Sequence, residues 1–401
     1  MPASLHPVGE MILRILVIPA SDWINSPTNG FHQIAEILAQ KHSVYIWHFN
    51  MFPSKKPFHE VNDVKLIKPK SIHSNDLTTY YVLNFVPHSL LFNKIVRELG
   101  IDVIIAQNLI PALWAFKFSP SNVLKVFGFQ DYFPESASVY YRRFPQIFRR
   151  LVESTSWMVT KLNIKSADIC LCPCSSLVNL AKKNGCEKSY FLANGVDTDF
   201  YDTKRLDRDL GKCLNLSEHT IVFFGVIEPW LDFETVLEGI KILKKDIVDA
   251  KLLIVGSTLT GYTEELHEMV QNFGLGKDVT TTGYVPSDLL PYYLNFGAIG
   301  IMPYRTDTYS GTIRLPLKFF IYSAMAKPIL SVHLPEVKRL RPKHVLYYDD
   351  PENFANYARM IFQIKNLLQD LSRYARKFSE TFAYNVLAKK VENILEENLK
   401  E

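Results

Sequence analysis

A repeated order of short apolar segments, polar loops and helical segments is the feature that most constrains this sequence. Ile12 to Ile18 is apolar except for one arginine, a polar loop then ends at Gly30, and apolar residues recur at helical spacing from Phe31 to Gln40. Ser43 to Phe49 follows as the next strand. Strands that alternate with helices in this way form a parallel sheet covered by helices on both faces. The first half therefore predicts a doubly wound α/β domain.

The same order returns in the second half of the chain. Thr220 to Phe224 predicts a strand, a loop with Gly225 follows, and Phe233 to Lys245 predicts a helix. A chain of 401 residues is too long for one ordinary core. We therefore predict two Rossmann-like α/β domains, at 11–202 and 203–375, followed by a terminal helical segment at 376–401.

Composition excludes several classes of protein. The 45 basic and 41 acidic residues leave a net charge of only +4, so a nucleic-acid partner is not expected. No apolar run approaches the roughly 20 residues that cross a bilayer. The start of the sequence lacks the pattern of a signal peptide, and the odd count of five cysteines suits a reducing compartment. We expect a cytoplasmic protein.

No pattern in the sequence predicts a metal site. Cys170, Cys172 and Cys174 have the spacing of one strand face, which favours burial over metal binding. Asp197 and Asp199 form a D-x-D string, but short acidic residues in such a segment more often form turns. The histidines form no H-x-x-H or H-E-x-x-H array. We expect no metal and no cofactor.

The loop from Pro303 to Lys318 is the strongest candidate for a binding site. It follows an apolar strand, carries Arg305, and leads into a helix that opens at Pro316. Free N–H groups at a helix start, together with Lys318, suit a diphosphate at the carboxyl edge of a parallel sheet. The alternative is that Arg305 and Lys318 are solvated surface cations. In the first half, Asn29 and Gly30 suit a tight turn near a ligand, or Gly30 only ends the loop.

Several segments, in order and at matching spacing, resemble the GT-B glycosyltransferases of family 4. Residues 300–337 (GIMPYRTDTYSGTIRLPLKFFIYSAMAKPILSVHLPEV) look like the pattern "PlKlyEYlAaGkPVv" after a strand that ends in proline. LANGVDTDF at 192–200 resembles the "NGvD...F" element, and FQDYFPE at 129–135 is similar to "DlyPE". Residues 223–239 and 283–304 match two further elements of the family.

The resemblance implies a retaining, metal-independent transferase with two domains facing a cleft and a terminal helix that crosses back to the first domain. The first domain would bind a glycan or polyprenyl-phosphate-linked acceptor, and the second would bind a nucleotide-diphosphate sugar. Asp131 would be catalytic, with Asn29, Gly30 and Glu135 on the acceptor side. The implied donor-binding residues are Gly225, Gly283, Tyr284, Val285, Arg305, Gly311, Thr312, Leu317, Lys318 and Tyr322.

The sequence departs from the family at a residue that contacts the donor. The family usually has glutamate before the tyrosine, where it accepts hydrogen bonds from the ribose hydroxyls, and this chain has Ile321. Losing such a charged acceptor commonly costs roughly 1.5 to 3 kcal/mol. Val226 and Trp230 stand near the positions of the family's Arg and Lys. A non-catalytic subunit that binds a ligand or partner is therefore the alternative function, and a nucleotide-sugar 2-epimerase is a third.

A basic and apolar stretch at 140–165 predicts contact with a membrane surface. It combines Arg149, Arg150 and Lys161 with Phe148, Leu151 and other apolar residues, as in segments that rest on anionic lipid. The alternative is a solvated helix face that covers the first domain. In the first interpretation the protein would associate with the inner face of the membrane.

Overall fold

The structure is a computed structural model, and the chain forms two compact units. Met1–Asn194 and Tyr384–Glu401 form the first unit, and Gly195–Ala383 form the second. The boundary predicted at residue 202 thus lies a few residues inside the second unit. The structure describes residues 11–20, 22–25, 30–49, 63–74, 76–134, 141, 144–204, 213–258, 261–306 and 312–400.

The first unit is built on a parallel sheet. Its strands are β1 Arg14–Ile18, β2 Ser43–Trp47, β3 Lys65–Ile67, β4 Val103–Ala106, β5 Leu124–Gly128, β6 Ile169–Cys172 and β7 Ser189–Phe191. They form one seven-stranded sheet with the order β3-β2-β1-β4-β5-β6-β7. Leu16 of β1 pairs in parallel with Tyr45 on one side and Ile104 on the other. The chain therefore winds outward from β1 in both directions, which is the doubly wound pattern.

Helices cover this sheet. They are α1 Gly30–Ala39, α2 Leu77–Leu83, α3 Phe85–Leu99, α4 Leu109–Phe118, α5 Gln146–Ser166, α6 Ser175–Lys183 and, from the end of the chain, α14 Tyr384–Leu399. Ile34 and Leu38 of α1 share one buried core with Leu387 and Val391 of α14 and with the central strands. Burial of that apolar face holds the terminal helix in the first unit.

The second unit repeats the architecture. Its strands are β8 Thr220–Phe224, β9 Lys251–Val255, β10 Val279–Thr281, β11 Ile299–Met302, β12 Ile329–Ser331 and β13 Val345–Tyr347. They form a six-stranded parallel sheet with the order β10-β9-β8-β11-β12-β13. Its helices are α7 Phe233–Leu243, α8 Tyr262–Asn272, α9 Leu290–Phe296, α10 Leu317–Ala324, α11 Pro335–Arg339, α12 Pro351–Gln363 and α13 Leu367–Glu380.

Two Rossmann-like sheets confirm the predicted fold class.

Within the described ranges, no helix is both long enough and apolar enough to cross a bilayer. Across the same ranges, no three His, Cys, Asp or Glu side chains come together in a way that could hold a metal ion. Cys170, Cys172 and Cys174 are all buried, and the Asp197 carboxylate accepts hydrogen bonds from the N–H groups of Asp199 and Phe200.

Candidate functional site

Three glycines lie side by side at the carboxyl edge of the second sheet. Gly225, Gly256 and Gly283 follow β8, β9 and β10, with φ angles of 111°, 151° and 70° that only glycine adopts easily. Gly256 forms an antiparallel bridge with Gly283. A Cβ on Gly256 would lie 2.0 Å from the carbonyl oxygen of Gly225. We call these three residues the glycine edge. Gly225 and Gly256 pack backbone against backbone, and no atom lies within 4 Å of the position that a Cβ on Gly283 would occupy.

Lys318 extends over the glycine edge from the first turn of α10. Its ammonium lies 3.3 Å from the Tyr304 hydroxyl and 4.9 Å from the centroid of the Phe223 ring. A Cβ on Gly225 would be only 2.8 Å from Lys318 Nζ. Across the described parts of the chain, no carboxylate forms an ion pair with Lys318. The charge is therefore held by aromatic faces and remains available to an anion.

The start of α10 adds further positive character. Helix α10 begins at Leu317 with Pro316 as its N-cap, one residue later than predicted. The first N–H groups of a helix have no acceptor within the helix and carry the positive end of its dipole. The Arg314 guanidinium stacks 4.7 Å from the centroid of Tyr304, beside the same helix start. The helix tip, Lys318 and Arg314 are positive groups of the kind that bind phosphates.

The loop after β8 is fixed to the loop after β11. Leu231 forms an antiparallel bridge with Tyr304, and Asp232 N–H donates to the Pro303 carbonyl at 2.7 Å. Arg305 Nε donates to the Pro229 carbonyl at 3.2 Å, and its Nη2 lies 3.7 Å from a carboxylate oxygen of Asp232. Arg305 thus fastens these two loops to each other.

Two family models match the chain, one in each unit. The model described as Glycosyltransferase Family 4 matches residues 29–200, and the model described as Glycosyl transferases group 1 matches residues 218–363. The two matches together cover most of the sequence. The chain belongs to the family 4 glycosyltransferases.

Curated relatives of this family 4 protein align over part of their length. TuaH of Bacillus subtilis, provisionally named a teichuronic acid biosynthesis glycosyltransferase, is 27% identical over 212 residues, which make up 51% of this chain and 50% of TuaH. A GDP-mannose-dependent alpha-(1-6)-phosphatidylinositol monomannoside mannosyltransferase of Mycobacterium tuberculosis is 28% identical over 144 residues, 35% of this chain and 37% of that protein. The chain thus spans half or less of the length of these relatives.

Solved structures match nearly the whole chain. Sucrose-phosphate synthase of Thermosynechococcus elongatus aligns with a TM-score of 0.71 and 15% identity, covering 97% of this chain and 99% of that one. HepE (Alr3699) of Anabaena in complex with UDP-glucose aligns with a TM-score of 0.68 and 14% identity, covering 96% and 100%. At such low identity the likeness establishes the fold, which is GT-B.

The other residues that the family resemblance places at the donor differ in how exposed they are. Tyr322 is fully buried, and its hydroxyl donates to the Val222 carbonyl of β8 at 2.9 Å, so it contacts the sheet rather than the surface above it. Tyr284 is 74% exposed in the loop after β10, and Val285 beside it is half-buried. Thr312 and Leu317 are exposed near the start of α10, and Gly311 lies outside the described residues.

The acceptor-side predictions are only partly described. Asp131 is exposed after β5, and its carboxylate accepts a hydrogen bond from Tyr132 N–H at 2.8 Å. A Cβ on Gly30 would lie 2.0 Å from the Asn194 carbonyl, so close packing within the first unit explains the glycine there. Asn29 and Glu135 lie outside the described residues.

Sequence reasoning did not single out Glu228, which the fold buries completely. Its carboxylate accepts a hydrogen bond from Thr258 Oγ1 at 3.2 Å, so it joins the loops that follow β8 and β9. A glutamate within an otherwise apolar loop after a strand is the signal that could have found it, because buried carboxylates are normally bonded. Gly256 was also missed, since a single glycine after a strand is a weak signal.

Proposed function

We propose that this protein transfers a sugar from a nucleotide-diphosphate sugar to a glycan or polyprenyl-phosphate-linked acceptor, with retention of configuration and without a metal ion. The position of Lys318 above the glycine edge, at the start of α10, is the observation that carries the proposal. The family assignment supports glycosyl transfer.

The donor diphosphate would bind to the tip of α10 in the second unit. Lys318 and Arg314 would face its charge, and Gly283, which has open space where a side chain would lie, would let the donor approach the backbone. The backbone of Gly283 to Val285 would contact the base. As the bond to the sugar breaks, negative charge grows on the departing diphosphate, and fixed cations and helix N–H groups stabilise it. These groups could supply the positive charge that a metal gives in other transferases.

The acceptor would bind to the first unit, with Asp131 at the reacting hydroxyl. Asp131 is exposed at the carboxyl edge of the first sheet, where ligands of parallel sheets bind. A carboxylate there could orient the acceptor hydroxyl or accept its proton. HepE was solved with UDP-glucose, and the mycobacterial relative is named for GDP-mannose and a phosphatidylinositol mannoside, which supports a nucleotide-sugar donor and a lipid-linked acceptor.

We also propose that the first unit rests on the cytoplasmic leaflet of an anionic membrane through residues 140–165. Helix α5 exposes 81% of Ile147 and 63% of Leu151 and carries Arg150 on its surface. Exposed apolar side chains beside basic ones are typical of helices that lie in a membrane interface. Arg142 and Arg143, which also carried the sequence prediction, lie outside the described residues.

Titration with UDP, GDP and ADP, followed by a transfer assay with each nucleotide sugar, tests the donor site. Lys318→Ala should weaken binding of the preferred nucleotide by about 30-fold, since a hydrogen bond to a charged group is worth about 2 kcal/mol. Lys338→Ala is the matched control, because Lys338 is exposed in the same unit and its ammonium lies over the Tyr347 ring. Equal affinity of both variants would remove Lys318 from the site. The anomer of the product, read by NMR, tests retention.

A non-catalytic subunit is the second candidate, and Ile321 is the observation that favours it. Ile321 is 4% exposed within α10, so the family's ribose-binding glutamate is replaced by a packed apolar side chain. This alternative predicts that no nucleotide sugar donates its sugar to membrane extract, whether or not a nucleotide binds. Transfer from one nucleotide sugar would exclude it.

A further inference from the structure

The first unit contains a cavity of about 440 Å³ that the donor chemistry does not use. Helices α2, α4 and α5 and the loop after β5 line it, with Tyr81, Ile110, Phe133, Val152 and Val159 among the lining residues. Its size lies within the range of small-molecule sites, roughly 300 to 1,000 Å³. We call it the α5 cavity.

The α5 cavity reaches the carboxyl edge of the first sheet. Asn108, which lines it, lies two residues beyond the end of β4 and is the N-cap of α4. Phe133 lines it from the loop that carries Asp131. The loop that carries Asp131, the residue proposed to meet the reacting hydroxyl, therefore forms part of the cavity wall.

The polar groups at the inner end already have partners in the protein. The Tyr81 hydroxyl donates to the Ala20 carbonyl at 3.0 Å, and Asn108 Nδ2 donates to the same carbonyl at 3.3 Å. Most of the remaining lining is carbon. A sugar in such a cavity would lose its hydrogen bonds to water without replacing them, whereas a hydrocarbon chain would lose none.

Helix α5 connects the cavity to an exposed apolar surface. Ile147, Leu151, Met158 and Leu162 recur at spacings of four and seven residues and form one stripe, and each is more than 40% exposed. The neighbouring stripe, which includes Val152, Thr155 and Val159, lines the cavity. Leu151 belongs to both. A chain that leaves the cavity over α5 thus stays on apolar surface.

Basic side chains border the exposed stripe on its other side. By helical spacing, Arg150 and Lys161 lie beside Ile147 and Met158, and Glu153 is the single acidic residue of α5. Val82 of α2, a helix that also lines the cavity, is 60% exposed, and Val86 of α3 is 63% exposed. This combination of an apolar surface and positive charge complements an anionic lipid.

We infer that the α5 cavity binds the hydrocarbon chain of the lipid-linked acceptor, with its phosphate toward the basic border of α5. The inference rests on the proposed function, because the chain would belong to the molecule that receives the sugar. The protein would then hold part of the lipid tail in its own interior, and the tail would not lie wholly in the bilayer. Chain length is then part of acceptor recognition.

Calorimetric titration with hexyl, octyl and decyl phosphate, each below its micelle concentration, tests the inference without donor or transfer. Affinity should rise about fourfold per added CH₂, the gain expected for burying a methylene group. Ser156→Phe and Val159→Trp, which place larger side chains on the lining, should each weaken decyl phosphate binding at least tenfold and abolish the dependence on length. Val386→Trp is the matched control, because Val386 is exposed on α14 of the same unit and does not line the cavity.

Geranyl phosphate separates the two sources of such a chain. Its geranyl group has ten carbons in total, as the decyl group has, so tighter binding than decyl phosphate assigns an isoprenoid lipid, and the reverse assigns an acyl lipid. Affinity that is independent of chain length, or that is unchanged in both filled variants while their thermal unfolding is unaltered, overturns the inference. Neither result touches the proposed function, because nucleotide binding by Lys318 is measured separately in the second unit.

Discussion

The two units carry their candidate sites at the same edge of similar sheets but build them from different atoms. The second unit uses backbone, a lysine and a helix tip around the glycine edge, where a Cβ would meet a carbonyl oxygen at 2.0 Å. The first unit uses side chains from three helices to line an apolar cavity. Under our two proposals, shared topology fixes where the ligands bind, and local chemistry decides that one is a diphosphate and the other a hydrocarbon.

Gly256→Ala should have the largest effect, because it disturbs the backbone on which the donor site depends. Its φ of 151° disfavours any side chain, and the new methyl group would collide with the Gly225 carbonyl. We expect a loss of about 3 kcal/mol in stability of the second unit. Nucleotide binding should disappear, while alkyl phosphate binding by the first unit should persist. Urea unfolding and the two titrations measure these effects.

Gly274→Ala is the control for the glycine edge. Gly274 also has a positive φ, 74°, but no atom lies within 4 Å of the position that its Cβ would occupy. Only backbone strain should result, about 1 kcal/mol, with nucleotide affinity unchanged. If both substitutions weakened binding equally, strain and not crowding would explain the glycine edge.

Acid should lower the free energy of unfolding of both units by the same mechanism. Comparing the two losses tests how far the two cores are alike. His88 of the first unit and His344 of the second are buried, and burial lowers the pKa of each from 6.5 to about 4. Their Nε2 atoms lie 3.0 Å from Ser71 Oγ and 2.8 Å from Ser323 Oγ. The unfolded chain therefore takes up a proton first as pH falls. Stability present above pH 6.5 is lost between 6.5 and 4, about 3 kcal/mol per histidine.

Urea titrations at pH 7 and 4.5 measure this loss. His88→Asn and His344→Asn should each be less stable at pH 7 but should lose less on acidification than the parent protein. Trp47 packs against His88 at 5.5 Å between ring centroids, so its fluorescence reports on the first unit. An unchanged acid loss in the double variant would show that other groups cause it.

The helices that close the two units are held by different kinds of bond. Arg376 of α13 donates to the carbonyls of Thr198, Tyr201 and Ala324. Glu392 of α14 instead pairs with Lys41 at 2.7 Å and with Lys389 at 2.7 Å. Burial opposes its charge, but the hydrogen bonds from Lys389 and Lys41 outweigh that and lower the pKa of Glu392 to about 2. The packing stability of α14 in the first unit should therefore depend on pH, and that of α13 in the second unit should not.

Glu392→Gln should destabilise the first unit by about 2 kcal/mol at pH 7, because it removes the buried charge with which Lys41 and Lys389 pair. Since the folded pKa lies below 4.5, the contribution is complete above pH 4.5 and is lost as pH falls toward 2. Glu397→Gln, an exposed change on the same helix, should alter stability by less than about 0.5 kcal/mol. Equal midpoints in urea for the two variants would contradict the role of Glu392.

The sequence was informative where periodicity and local chemistry decide the structure. Alternating apolar runs predicted the two parallel sheets, and Pro316 followed by Lys318 predicted a cationic helix start. The sequence was uninformative where distant loops meet. The approach of Gly256 to Gly225 and the bond from Thr258 to Glu228 depend on strand order, which local patterns do not contain.

Side-chain direction on a helix was the other point that the sequence left open. Tyr322 was predicted to bind the donor, yet its ring packs against Gly300, where a Cβ would lie 2.6 Å from it. In α5 the composition indicated an amphipathic surface, but the cavity depends on the position of α2 and α4 and no pattern predicted it. Residues that face a ligand and residues that face the sheet alternate within one turn, so small rotations decide which is which.

Arg305→Ala should have the smallest effect, and it shows whether every cation at the second sheet's edge acts on the donor. Arg305 is exposed, and its guanidinium is held by the Pro229 carbonyl and the Asp232 carboxylate. Because those bonds join two loops and already occupy the guanidinium, nucleotide affinity should fall by about threefold or less, against about 30-fold for Lys318→Ala. Arg305→Lys should restore little of the difference, since lysine lacks the planar fork. A loss in Arg305→Ala as large as that in Lys318→Ala, measured by the same nucleotide titration, would place Arg305 on the diphosphate and extend the donor site beyond the tip of α10.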